Sequence, residues 1–80
     1  MKSKPTIAFV LLGCGDEVIN EVVDELKTID SVKEYVRLEG NWKIIIKLEG
    51  DIEQIREIIR WKIRKMSNVE TTLTLIEYMD

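Results

Sequence analysis

The sequence predicts a single α+β domain with the element order β-α-β-β-α-β, and three observations carry that prediction. A short apolar run, Ile7 to Leu12, passes through a glycine-containing turn into a stretch with helical spacing. The pair Gly40-Asn41 divides two segments whose polarity alternates. A second Gly-Asp pair, Gly50-Asp51, opens another helical stretch, which gives way at Ser67-Asn68 to an alternating, threonine-rich end.

Each element follows from its residues. "TIAFVLL", after Pro5, is compact, apolar and β-branched, and reads as a strand buried on both faces. "GCGD" breaks that strand with its glycines and places Asp16 to cap a helix beginning at Glu17. Val18, Ile19, Val22, Val23, Leu26 and Ile29 then recur at helical spacing, with charged and amide residues between them. In "VKEYVRLE", over residues 32–39, Val36 and Leu38 share one face while Tyr35 and Arg37 take the other.

Gly40-Asn41 is expected to make a two-residue hairpin turn, because both residue types tolerate positive φ. "WKIIIKLE", over residues 42–49, is the returning strand, with Trp42, Ile44, Ile46 and Leu48 on one face and Lys43, Ile45 and Lys47 opposite. A second helix is expected from Ile52 to Met66, its stripe being Ile52, Ile55, Ile59, Ile63 and Met66. Trp61 falls nearly opposite that stripe. The last strand, over residues 69–79, sets Thr72, Thr74, Ile76 and Tyr78 against Thr71, Leu73 and Leu75.

This order describes a ferredoxin-like sandwich: a four-stranded antiparallel sheet with both helices on one face. The other face is left uncovered. Since the first and third strands carry apolar residues on both faces, the bare side is expected to dimerise with the sheet of a second chain. Eighty residues make one domain, residues 1–80, and a chain of this size buries only roughly 60–65% of its unfolded surface, so association adds burial that the monomer lacks.

Composition excludes several function classes. A formal charge of −3, from 15 acidic and 12 basic residues, provides no net positive field for nucleic acid. One cysteine and no histidine leave no disulfide within the chain and none of the usual zinc, triad or general-base constellations, so no catalytic residue, metal or cofactor is expected. The apolar run at Ile7–Leu12 is too short to span a membrane or to serve as a signal peptide, and a cytoplasmic setting is expected.

Two stretches carry a resemblance. "VKEYVRLEGNWKIIIKLEG" and "IREIIRWKIRKMSNVETTLTLI", together with the order and length of the elements from Ile7 to about Glu77, resemble the regulatory (RAM) domain of the Lrp/AsnC transcription regulators. The similarity is greatest to small stand-alone RAM proteins. The resemblance implies sheets packed face to face in dimers, dimers associated into rings, and small effectors, mostly amino acids, held in the cleft between dimers. It implies no DNA-binding half, because only six residues precede the first strand, and it suggests a full-length Lrp/AsnC relative as a partner to be modulated.

By position, the glycine, aromatic and aspartate of the family hairpin fall on Gly40, Trp42 and Lys43, and its two spaced threonines fall on Thr72 and Thr74. With Asn41 these are the candidate ligand-binding residues. Lys43 departs from the pattern: a lysine repels the ammonium that an aspartate would hold and favours an anion. Phe9, Trp42, Ile44 and Trp61 are the candidate oligomer-interface residues, large apolar side chains suiting that role.

Plainer readings stand beside these. Gly40 serves turn geometry in any case, Trp42 suits a sheet face, Lys43 suits an exposed strand, and threonines are ordinary β-formers. "GCGD" lacks the length and lysine of a phosphate loop. A ferredoxin-like enzyme or enzyme subunit, a purely structural assembly protein without an effector, and a single-stranded RNA binder using Phe9 and Trp42 are the alternatives that residues alone leave open.

Overall fold

The structure is a computed structural model that describes residues 5–77. Strands β1 (Thr6–Cys14), β2 (Val32–Arg37), β3 (Ile44–Gly50) and β4 (Val69–Ile76) form one antiparallel sheet in the order β2-β3-β1-β4. Helix α1 (Ile19–Leu26) follows a 3₁₀ turn at Asp16–Val18, and helix α2 (Ile52–Ile58) runs on into a π-helical turn at Ile59–Ile63. The predicted β-α-β-β-α-β order and ferredoxin-like architecture are therefore what the chain adopts.

Strand alternation sorts the core. Ala8, Val10 and Leu12 of β1 pair with Leu48, Ile46 and Ile44 of β3, and all six are essentially inaccessible beneath the helices. Val22, Leu26, Ile55 and Ile63 close over them from α1, α2 and the π-helical turn. The first strand does not break at Gly13 but runs through Gly13 to Cys14. Gly13 opposes Thr71 in the common register, and a shift just beyond it sets Cys14 opposite Val69. Beyond β4, the Glu77 amide donates to the Ile7 carbonyl at 2.9 Å.

Several expectations about the helices change in detail. Asp16 does not cap a helix: Gly15 precedes the 3₁₀ turn, α1 begins only at Ile19, and neither start has a side-chain cap. α1 stops at Leu26, although Ile29 beyond it is still buried. In the second helix the Arg64 amide donates to the Ile59 carbonyl, five residues back, at 2.9 Å. That wider turn brings Ile58 as well as Ile59 into the core, while Ile52 is only half-buried.

The hairpin also differs. The pairing Arg37–Ile44 keeps the register that a turn centred on Gly40-Asn41 requires, and the Leu38 amide still donates to the Lys43 carbonyl at 2.8 Å. Only Gly40 has positive φ, at 112°, so this is not the tight turn with two left-handed residues. Trp42 and Lys43 consequently sit in the loop before β3, not in the strand. The expectation for Tyr78, and for the last strand beyond Ile76 to residue 79, lies at or outside the edge of the described residues.

The sheet's second face is bare. Ile7, Phe9 and Leu11 of β1, Ile45 of β3, Val36 of β2, and Leu73 and Leu75 of β4 share it. Val36, Leu73 and Leu75 are 54%, 45% and 52% exposed. Ile44 is not among them. It is 0% exposed and points into the chain's own core, so it has no surface to offer a second chain, which corrects its assignment to an interface.

Candidate functional site

The hairpin tip and the C-terminal end of β1 meet at Gly13. A Cβ placed on Gly13 would lie 3.2 Å from Thr71 Oγ1 and 3.5 Å from the Asn41 carbonyl oxygen, so the missing side chain is what lets the tip and β4 close over this point. Lys43 is tied to the same place, since its amide donates to the Leu12 carbonyl at 2.8 Å. Its ammonium, on a side chain only 23% exposed, pairs with Asp16 Oδ1 at 3.1 Å.

The expected aspartate of the hairpin is thus absent at position 43, yet an aspartate stands beside it. Asp16 comes from the turn after β1, and because its own side chain is largely exposed the pair contributes little stability, on the order of 0–1 kcal/mol. Its chemical content is larger: a cation and an anion side by side at the end of the sheet. Beneath them Cys14 is buried, and desolvation, with help from the Glu70 carboxylate, raises its thiol above the ordinary value of 9.0. Lys43 works in the opposite direction, without reversing the shift.

The remaining candidates divide. Gly40 forms the outermost tip, with open space where a Cβ would be, and Trp42 is half-buried. Thr72 pairs with Leu12 and lines a shallow hollow of about 350 Å³ with Arg64, Glu70 and Thr71. None of the hairpin residues lines that hollow. Thr74 pairs with Val10, two residues further along β4 and about 7 Å away. Within one chain, then, Asn41, Lys43 and Thr72 gather around the Leu12–Gly13 end, Gly40 projects from it, and Thr74 stands back.

Sequence reasoning missed Gly13, Thr71, Asp16 and Arg64. Gly13 was legible only as a strand breaker, because nothing local says that another backbone passes over it. Asp16 has the residue type and position of a helix cap, and its partner Lys43 lies on a different element. Of the interface candidates, Phe9 is 38% exposed on the bare sheet face, while Trp61 is 60% exposed on the π-helical turn, away from both the hairpin and the sheet.

Comparison with known proteins agrees with the fold. The family model described as "Lrp/AsnC ligand binding domain" matches residues 7–78. The crystal structure of FFRP-DM1 superposes with a TM-score of 0.86 at 31% identity, covering 91% of this chain and 99% of that one. The hypothetical protein PHS023 from Pyrococcus horikoshii gives a TM-score of 0.84 at 30% identity, covering 94% of this chain and 92% of that one. Escherichia coli AsnC shares the fold, with a TM-score of 0.83 at 21% identity, and there 94% of this chain spans only 52% of the other. No curated protein sequence matches the chain.

Proposed function

The chain belongs to the Lrp/AsnC ligand-binding domain family, and on that premise we propose that it senses a small metabolite and assembles with copies of itself. The matching family is one of ligand-binding domains and not of enzymes. The observation that carries the reading is the Lys43–Asp16 pair, 3.1 Å apart at the hairpin end of the sheet. Lys43 offers an ammonium to a carboxylate, and Asp16 supplies the acid that position 43 lacks. An amino acid or a related carboxylate-bearing metabolite fits this arrangement.

Trp42 serves as an apolar wall and the Thr72 and Thr74 hydroxyls as hydrogen-bonding groups, with Gly40 and Asn41 shaping the approach. Thr72 lines a hollow that Gly40, Asn41, Trp42 and Lys43 do not enter, and a second chain brings the two parts of the site together. A homodimer through the bare sheet face, extended to a ring, supplies it. A likeness to a Neisseria meningitidis transcriptional regulator solved in complex with L-Met, at 9% identity, extends only to the fold, and an amino-acid effector is in keeping with it. Co-assembly with longer Lrp/AsnC relatives is the downstream role we assign.

Thermal unfolding in the presence of amino acids, keto acids and dicarboxylates tests the reading. A ligand at a hundredfold excess over its Kd stabilises the fold by about 2.7 kcal/mol, which for so small a domain raises Tm on the order of 10 °C. Trp42→Ala and Lys43→Asp are expected to remove that rise. If both variants keep the full shift, the effector does not sit at the hairpin.

A further inference from the structure

At the other end of β1, beside the Thr6–Gly50 pair and about 20 Å along the strand from Leu12, lies a groove that the hairpin site does not use. It has a volume of about 350 Å³ and lies between the loop leaving α1 and the outer side of α2. Asp30, Ser31, Gln54, Glu57, Trp61 and Lys62 carry its chemistry.

Ser31 is the telling residue. It is only 7% exposed, yet its hydroxyl makes no hydrogen bond to any described residue. No wholly buried side-chain polar atom among the described residues goes unpartnered, so Ser31 Oγ keeps its access to the groove. Gly50 lies under it. A Cβ there would fall 3.0 Å from Gln54 Oε1 and 3.9 Å from Ser31 Oγ, so the glycine leaves both polar groups room to converge.

The charges are unspent as well. Among the described residues the one ion pair is Lys43–Asp16, which leaves the Asp30 and Glu57 carboxylates without a salt-bridge partner. Lys62 is the groove's single ammonium, and Lys33 reaches only the Asp30 carbonyl, at 3.2 Å. Two carboxylates, a hydroxyl and an amide oxygen outnumber it as acceptors. Trp61 adds a flat aromatic wall that already attracts one cation: Lys65 Nζ stands 5.4 Å from its ring centroid. The residue lies within the π-helical turn, a local distortion frequent at functional sites.

We propose that this groove binds a small organic ammonium ion. Asp30 and Glu57 pair with the cation, Ser31 Oγ and Gln54 Oε1 accept its N–H groups, and Trp61 covers its alkyl part. Trp61 is exposed for that ligand and not for a subunit contact.

Cadaverine, a five-carbon diamine, and glutarate, a five-carbon dicarboxylate, distinguish charge from simple adhesion. Titrations followed by ¹⁵N NMR of the whole chain read the Trp61 indole N–H separately from that of Trp42. Cadaverine is expected to shift the Trp61 indole and the Ser31 amide while leaving the Trp42 indole in place, and glutarate to shift neither. Glu57→Gln, on an exposed side chain that the fold does not need, is expected to weaken binding about tenfold, the loss of one charge-assisted contact. Ser31→Ala is expected to weaken it several-fold. Silence at Trp61, an equal response to glutarate, or unaltered affinity in Glu57→Gln overturns the proposal. The groove shares no residue with the hairpin site, so either outcome leaves the reading of that site untouched.

Discussion

Cys14 closes the hairpin end of the core from below, and its thiol is held above the usual range first by burial and then by Glu70. A thiol whose folded pKa is raised stabilises the fold while it stays protonated. That contribution is complete below the unfolded value of 9.0 and is lost as the pH rises through the higher folded value. Urea unfolding is therefore expected to show a decline that sets in near pH 9.0 and ends once the folded thiol has ionised, which Cys14→Ala lacks, and alkylation of the native thiol at neutral pH to run well below the rate of the unfolded chain. The same neighbourhood shows where sequence reading stops at this scale. Lys43 was legible as a departure from a family pattern, but its pairing with Asp16 was not. An acidic residue after a glycine looks like a helix cap whether or not its carboxylate points elsewhere.

Whole elements were far more legible, because hydrophobic period survives small errors at their ends. All four strands and both helices fall where the alternations and stripes place them, with boundaries displaced by a few residues. The larger discrepancy is the π-helical turn. A stripe drawn at 100° per residue selects Ile52 and passes over Ile58, whereas the widened turn buries Ile58 and Ile59 together. Ile58→Ala is accordingly expected to cost about 2–4 kcal/mol in chemical denaturation, and Ile52→Ala about 1 kcal/mol or less, since its site is open enough to readmit water. Equal losses at the two positions would contradict the π-helical packing. The hairpin teaches the complementary lesson: its register was readable from Gly40-Asn41, but its splayed tip, which carries the candidate site, depends on the neighbouring strands.

For the whole molecule, the bare sheet face is the dominant unsolved surface of the monomer. Phe9, Val36, Leu73 and Leu75 come from three strands and lie in one apolar field that water covers poorly. Light scattering is expected to find a dimer or a multiple of one, and Phe9→Lys with Leu75→Lys to give a folded monomer. A stable wild-type monomer would remove this face as an interface. That the face exists was legible from apolar residues on both sides of the first and third strands.

The sheet order also governs assembly of the chain in time. β1 occupies an interior position, flanked by β3 and by β4, and Ala8 pairs with Ile76 across nearly the whole described length. During synthesis the first strand therefore emerges long before one of its two neighbours exists, and the nascent chain holds an unsatisfied ladder edge until the last strand has cleared the ribosome. Loop closure of that span makes this the slow contact, so refolding kinetics should report on β4 docking more than on either helix.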